Sequence, residues 1–198
     1  MSVNLTKGQR ISLEKEAGNS LDTIVMGLGW DVAKRSGGGL LGSIFGSGSQ
    51  QSIDLDASCV LFDENKNVLD VVWFRQLRSK DGSIVHTGDN LTGEGDGDDE
   101  QIIVQLSRVP SHTKTLVFTV CNFTGQNFEV VDNAFCRIVD QKSGKEIAKY
   151  NLSCGGKHTA MIMAKVYRHN NEWKMHAIGE HAQGRTVQDL LPVILPSL

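Results

Sequence analysis

The chain has 198 residues, of which 39% are hydrophobic and 22% are charged, and its formal net charge is −3. This length can bury one substantial core, and the composition is that of an ordinary soluble globular protein. The acidic balance gives no basic footprint for nucleic acid, and no run approaches the roughly 20 apolar residues of a membrane span. Because the first residues lack an apolar signal-peptide core, we expect a cytoplasmic protein.

The cysteines and histidines give little indication of a metal or disulfide site. Cys59, Cys121 and Cys136 lie inside apolar runs, which predicts buried thiols, and Cys154 completes a set with no close pair. The six histidines have no metal-ligand spacing, so we expect them at the surface or in turns. They are His86, His112, His158, His169, His176 and His181.

Short apolar runs separated by turn residues recur along the chain and predict β-strands. Val3 to Leu5 and Ile11 to Leu13 flank a polar turn, which predicts a first hairpin. A strand follows at residues 21–30. Further strands are predicted at residues 53–62, 68–74, 84–85, 101–106, 115–121, 128–131, 134–139, 146–152, 159–167 and 173–178. About ten short strands and one short C-terminal helix that stops near Pro192 indicate an all-β fold, an antiparallel β-sandwich.

Residues 34–51 form a Gly- and Ser-rich stretch that carries a small apolar group, Leu40, Leu41, Ile44 and Phe45. The composition is typical of a mobile loop, and the alternative is a contact for a partner or a membrane surface. Because the strands on either side each need pairing partners, we interpret the stretch as an insertion. We therefore predict a single domain over residues 1–198.

Two aspartates lie on one predicted strand. In residues 53–62, Asp54 and Asp56 occupy alternate positions and share a face with Ser58, while the opposite face is apolar. Two carboxylates at this spacing can converge on one cation or on two neighbouring cations. The alternative is a pair of solvent-facing acids on an edge strand.

Residues 88–100 hold six carboxylates, four glycines and no basic residue. Like charges in so short a segment repel one another unless a cation neutralises them, and glycine lets the backbone turn its carbonyl oxygens inward. Calcium takes about six to eight oxygen ligands, so it fits better than magnesium. The spacing is not that of an EF-hand. A solvated loop is the alternative, but strand-like segments bound the stretch on both sides.

Three motifs in this order, Gly27 to Asp31, Asp54 to Ser58 and residues 88–100, resemble those of the TerD family of tellurium-resistance and stress-response proteins. The match runs nearly end to end and includes residues 3–8 and 118–122. The insertion at 34–51 is more similar to the TerZ branch of the family than to its shorter members.

The resemblance implies a β-sandwich that binds calcium, as two ions, at loops on one edge. It implies oxygen ligands from all three motifs, with Thr92 contributing through its backbone. The implied set is Asp31, Asp54, Asp56, Asp89, Asn90, Thr92, Asp96, Asp98, Asp99 and Glu100. It also implies that the chain acts with other tellurite-resistance proteins near the membrane, peripheral to its inner face. Homo-oligomerisation stays open.

The leading hypothesis is a calcium-binding module without catalysis of its own, acting through partner proteins and not an enzyme. The alternative is a metal-dependent phosphoryl hydrolase, because Asp54 and Asp56 resemble the nucleophile and acid/base of haloacid-dehalogenase phosphatases. Those aspartates follow a hydrophobic strand, whereas here residues 48–52 are polar. A direct thiol chemistry on tellurite is a third hypothesis, which four scattered cysteines support poorly.

Overall fold

The computed structural model describes residues 2–32, 54–88, 97–152 and 156–198. The predicted insertion at 34–51, with Leu40, Leu41, Ile44 and Phe45, lies outside the described residues. Cys154 does as well.

Two six-stranded sheets pack face to face and enclose the main hydrophobic core. Sheet A runs, from edge to edge, β1 (Val3–Leu5), β10 (Glu146–Asn151), β9 (Val131–Asp140), β3 (Thr23–Val32), β7 (Glu100–Gln105) and β6 (Ile84–His86). Sheet B runs β2 (Arg10–Ser12), β12 (Glu172–Ala182), β11 (Ala160–His169), β8 (Thr115–Asn122), β4 (Leu55–Phe62) and β5 (Val68–Val72). The expected all-β sandwich is confirmed. Every described strand pair is antiparallel except β1 with β10, which is parallel.

The C-terminal helix covers the outer face of sheet B and forms a second, smaller core. Helix α2 (Val187–Ile194) buries Val187, Leu190 and Ile194 against Val60 and Phe62 of β4 and their neighbours. The expected short C-terminal helix is confirmed. The helix continues through Pro192 instead of stopping there, and a short 3-10 turn, Leu195–Ser197, follows it.

The predicted first hairpin is wrong, because β1 and β2 belong to different sheets. The polar turn between them crosses from sheet A to sheet B, and the Gly8 amide donates to the Ala177 carbonyl of β12 at 2.7 Å. Gly8 has φ +84°, a conformation that favours glycine. Short alternating runs do not say which strand lies beside them, so the sequence pattern fitted either arrangement.

A short helix follows β2 where a strand was expected. Helix α1 (Leu13–Ala17) begins at Ser12, whose Oγ accepts from the Lys15 amide at 3.4 Å. It ends at Gly18, which has φ +79°. A serine N-cap and a left-handed glycine after the last turn are ordinary helix boundaries, so the sequence did contain the information.

The cysteine prediction is confirmed, since Cys59, Cys121 and Cys136 are all free and buried. The histidine prediction is wrong for two of the six. His86 and His158 are only 2% and 5% exposed, and His158 stacks on His181 with ring centroids 3.7 Å apart. Within the described residues, no helix is both long and apolar enough to cross a bilayer.

The packing of α2 on sheet B predicts a stability difference between two of its side chains. Leu190 is fully buried and Val193 is 45% exposed. We expect Leu190→Ala to lower the free energy of unfolding by about 2–5 kcal/mol, because it leaves a cavity between helix and sheet. Val193→Ala is the matched control and should cost well under ~1 kcal/mol. Urea denaturation measures both. Equal losses in the two variants would mean that α2 does not contribute a packed core.

Candidate functional site

The site lies where the acidic stretch rejoins sheet A, at the start of β7. Of the acidic stretch, the structure describes Gly88 and the last four residues, Gly97 to Glu100. Asp89, Asn90, Thr92 and Asp96, four of the expected ligands, lie outside the described residues.

Glu100 ties the two sheets together from inside the sandwich. Its carboxylate Oε2 accepts a hydrogen bond from the Ala57 amide of β4 at 2.6 Å and lies 3.4 Å from His86 Nε2. The ionisable side chains of Glu100 and His86 are both fully buried. A buried carboxylate is costly unless hydrogen bonds satisfy it, so this contact is specific. It joins the end of the acidic stretch to β4, the strand that contains Asp56.

His86 anchors the other end of the acidic stretch. The Gly88 amide donates to His86 Nδ1 at 3.1 Å, which assigns the ring hydrogen to Nε2. That N–H points towards the Ala57 carbonyl, 3.2 Å away, and towards Glu100. One buried cluster therefore holds both Gly88, where the stretch begins, and Glu100, where it ends.

Asp99 is held by backbone amides at the end of β3. The Trp30 amide donates to Asp99 Oδ2 at 2.8 Å, and the Asp99 amide donates to the Leu28 carbonyl at 2.8 Å. Burial raises the pKa of Asp99, the Trp30 amide opposes this, and the charges of Asp31 and Asp98 raise it further. Burial is the main cause of this shift, and repulsion from the neighbouring carboxylates adds to it.

Asp31 lies on the exposed side of this cluster. Its Oδ2 accepts from the Asn133 Nδ2 of β9 at 2.8 Å. Asp31 and Gly97 line one end of an open cavity of about 700 Å³ on the outer face of sheet A, with Phe135 and Lys149 further along it. The carboxylate is thus accessible from solvent beside the point at which the acidic stretch enters the sheet.

Asp98 is engaged by an arginine. Arg137 of β9 donates from Nε to Asp98 Oδ1 at 2.7 Å and from Nη2 to Oδ2 at 3.2 Å, and its Nη1 donates to Glu146 at 3.2 Å. The Asp98 side chain is 2% exposed. Hydrogen bonding to Asp98 raises the pKa of Arg137, against the effect of burial. This bidentate pair fixes the stretch to β9 and leaves Asp98 less open to a metal than Asp31 or Asp99.

Two glycines of β3 make room for these contacts. A Cβ at Gly27 would overlap the Asp98 carboxylate, and one at Gly29 would lie 2.5 Å from the Gly97 carbonyl oxygen and from the Phe135 ring. Because Gly27 and Gly29 are two residues apart on one strand, both lack a side chain on the same face, the outer face of sheet A. The motif from Gly27 to Asp31 therefore provides a groove across which the acidic stretch lies.

Asp54 directly precedes β4, and Asp56 lies within it. Strand β4 is an interior strand of sheet B, so the alternative of solvent-facing acids on an edge strand is wrong. Asp56 is 4% exposed and lies on the face of β4 that Val60 and Phe62 share. Burial, followed by the charge of Asp56, raises the pKa of Cys121 on the neighbouring strand. The Asp54 carbonyl accepts from the Phe123 amide at 3.0 Å.

The described residues thus bring Asp31, Asp98 and Asp99 together and join Glu100 to β4. Within residues 2–32, 54–88, 97–152 and 156–198, no group of three or more Asp, Glu, His or Cys side chains is arranged to hold a metal. The metal site therefore stays a prediction. Sequence reasoning missed the roles of His86 and Arg137, which lie in no motif, and of Trp30, which lies in the motif from Gly27 to Asp31. The glycine spacing of β3 was the available indication of the groove.

The groove predicts that substitutions at Gly27 and Asp98 have non-additive effects on the free energy of unfolding. Gly27→Ala should lower the free energy of unfolding by about 1–3 kcal/mol, because the new methyl group displaces the Asp98–Arg137 pair. In an Asp98→Ala background the same substitution should cost much less, since the overlapping carboxylate is gone. Thermal unfolding of the four proteins gives the interaction energy. Additive losses would rule out the steric account.

The buried carboxylate predicts an effect of removing charge without changing shape. Glu100→Gln should destabilise the fold by about 1–3 kcal/mol, because the Ala57 amide and the His86 ring lose a charged acceptor. Glu64→Gln, at an exposed turn, is the control and should change little. Hydrogen exchange at the Ala57 amide should accelerate only in Glu100→Gln. An unchanged exchange rate there would contradict the assigned role.

Comparison with known proteins agrees with this architecture. The chain matches the model of the TerD domain over residues 1–191. It is 50% identical to the tellurium resistance protein TerZ of Serratia marcescens over 188 residues, 95% of this chain and 94% of that protein. It is 42% identical to the stress response protein SCP2 of Bacillus subtilis, covering 96% of this chain and 98% of that protein.

The fold has a counterpart among solved structures. A homologue of the telluride resistance protein TerD from Streptomyces coelicolor superposes with a TM-score of 0.68 and 18% identity, covering 87% of this chain and 96% of that one. At this identity the likeness concerns the fold alone, and the sequence matches carry the assignment. The chain belongs to the TerD-domain family of tellurium-resistance and stress-response proteins.

Proposed function

We propose that this protein is a calcium-binding module of the tellurite-resistance and stress-response system that has no catalytic activity of its own and acts through partner proteins. The observation that carries the proposal is the convergence of Asp31 and Asp99 at the point where the acidic stretch enters sheet A. Burial raises the pKa of Asp99, and charge repulsion from Asp31 raises it further. A divalent cation beside these groups would relieve that repulsion.

The chemistry of the available donors fits calcium. Asp31 and Asp99 offer carboxylate oxygens, and residues 89–96 add further carboxylates and an amide. Calcium prefers many hard oxygen ligands, and glycines let the backbone turn its carbonyl oxygens towards a cation. Asp54 and Asp56 stay in the proposed ligand set, although the burial of Asp56 makes it a weaker candidate than Asp31.

Anchoring of the stretch at both ends also supports the proposal. The His86–Glu100 cluster fixes the residue before Asp89 and the residue at the start of β7. A segment closed at both ends loses less conformational freedom when it wraps a cation than a free one does. The ordered segment would then offer one edge of the sandwich to a partner.

The partners and location follow from the family alone. We infer that other tellurite-resistance proteins dock on the calcium-bound edge, in the cytoplasm and at the inner face of the membrane. The names of the relatives refer to tellurium resistance and to the stress response. The hydrolase alternative gains no support, because Asp56 is 4% exposed and the described fold is a β-sandwich.

Calcium should raise the melting temperature. A ligand that binds only the folded state stabilises it by about 2.7 kcal/mol at 100 times its Kd. For a domain of this size the shift is on the order of 5–10 °C. We expect it on adding calcium to chelator-treated protein, and we expect it to shrink strongly in Asp31→Asn and Asp99→Asn.

Asn keeps the shape of Asp and can still accept the Trp30 hydrogen bond, so these variants remove charge rather than packing. Glu64→Gln, which removes one negative charge at a distant turn, should keep the full calcium response. Identical melting curves with calcium and with chelator in the wild type would disprove the proposal.

A further inference from the structure

A small basic pocket lies on the outer face of sheet B, on the other sheet from the acidic stretch. Its volume is about 270 Å³, and it opens between the turn that joins β1 to β2 and the 3-10 turn after α2. Lys7, Arg10, Lys165 and His176 contribute to its lining. Neither the family resemblance nor the proposed calcium site involves this surface.

Strand register places three of these side chains in one row. Arg10 of β2 pairs with His176 of β12, and His176 pairs with Lys165 of β11. Residues directly opposite on adjacent strands have Cβ atoms about 4.5–5.5 Å apart, so His176 lies between Arg10 and Lys165 in this row. All three side chains point outward, because their neighbours Ile11, Met175 and Val166 lie in the main core.

The cations of the pocket have little internal compensation. Among the described residues, no carboxylate forms an ion pair with Lys7, Arg10 or Lys165, and the Lys165 Nζ donates only to the Ser197 carbonyl, at 2.6 Å. One acid, Glu180, reaches the rim, where its Oε2 accepts from Ser197 Oγ at 3.3 Å. Three cations therefore face one anion, in a protein whose net charge is −3.

His176 adds a polar atom that the described chain does not satisfy. Its Nδ1 is buried and has no hydrogen-bond partner. Burial lowers the pKa of His176, the charges of Arg10 and Lys165 lower it further, and Glu180 opposes them. Burial likewise lowers the pKa of Lys165, followed by the charges of Arg10 and Lys66. A bound anion would offset the repulsion among these groups.

We propose that this pocket binds a phosphate group, held by Arg10 and Lys165 with Lys7 and His176 at its sides. Phosphate matches the row because its oxygens are strong acceptors for guanidinium and ammonium donors. The pocket is at the small end of ligand sites, which suits a single phosphate or a phosphate headgroup rather than a large cofactor. A soluble phosphate ester and an anionic lipid headgroup share this chemistry, and the experiments below separate the two sources.

Calorimetric titration with inorganic phosphate tests the pocket, with chelator present and ionic strength held constant with sodium chloride. We expect saturable binding by the wild type. In Arg10→Gln and in Lys165→Gln, the affinity for phosphate should fall by a factor of about ten or more. Lys142→Gln, which removes one exposed positive charge in the turn between β9 and β10, should bind like the wild type. Because chelator removes calcium, this result is independent of the calcium proposal.

Co-sedimentation with phosphatidylcholine vesicles, with and without phosphatidic acid, separates the two sources. Sedimentation that requires phosphatidic acid and is lost in Arg10→Gln assigns the pocket to a lipid headgroup. Phosphate binding without sedimentation assigns it to a soluble phosphate ester. Arg10 lies on an exposed edge strand, so its variant tests the pocket even if Lys165→Gln unfolds. Absence of both phosphate binding and sedimentation in the wild type, or an equal loss in Lys142→Gln, would overturn the proposal.

Discussion

The fold around the candidate site depends on one buried carboxylate that bridges the two sheets. Glu100 begins β7 in sheet A, and its Oε2 accepts the Ala57 amide of β4 in sheet B. Since a buried charge without hydrogen bonds is strongly unfavourable, Glu100 can occupy this position only while β4 and His86 stay where they are. The interaction therefore fixes the register of the acidic stretch against both sheets.

This constraint explains how a segment of like charges can be retained next to a packed core. The stretch enters and leaves through groups that are already hydrogen bonded, Gly88 on His86 and Asp99 on the Trp30 amide. The Asp98–Arg137 pair then fastens it across the glycine groove of β3.

Much of the fold could be predicted from the sequence, since β-prone runs and turn residues are local properties of the chain. The all-β sandwich is confirmed, as is the short C-terminal helix. The pairing of β1 and β2 was predicted wrongly, because period-2 alternation does not identify the neighbouring strand. Solvent-facing positions on an edge strand were the alternative for Asp54 and Asp56, and the same alternation cannot reveal that β4 is an interior strand or that α2 covers the outer face of sheet B.

The acidic residues of the site could be predicted from the sequence, but the residues that hold them in place could not. Dense carboxylates and glycines identify residues 88–100 without any structure. The roles of His86 and Arg137 depend on contacts with residues that are distant in the sequence. His86 is 14 positions from Glu100, and Arg137 is 39 positions from Asp98. A lone histidine in a short strand gives no pattern, so it was assigned to the surface and is in fact fully buried.

The central claim is that the anchored acidic stretch binds calcium beside Asp31 and Asp99. Calorimetric titration of calcium into metal-free protein tests it most directly, with the same titration on the Asp31→Asn, Asp99→Asn double variant. The account predicts saturable binding by the wild type and a large loss of affinity in the double variant. Heats in the wild type no larger than those of dilution into buffer would contradict it.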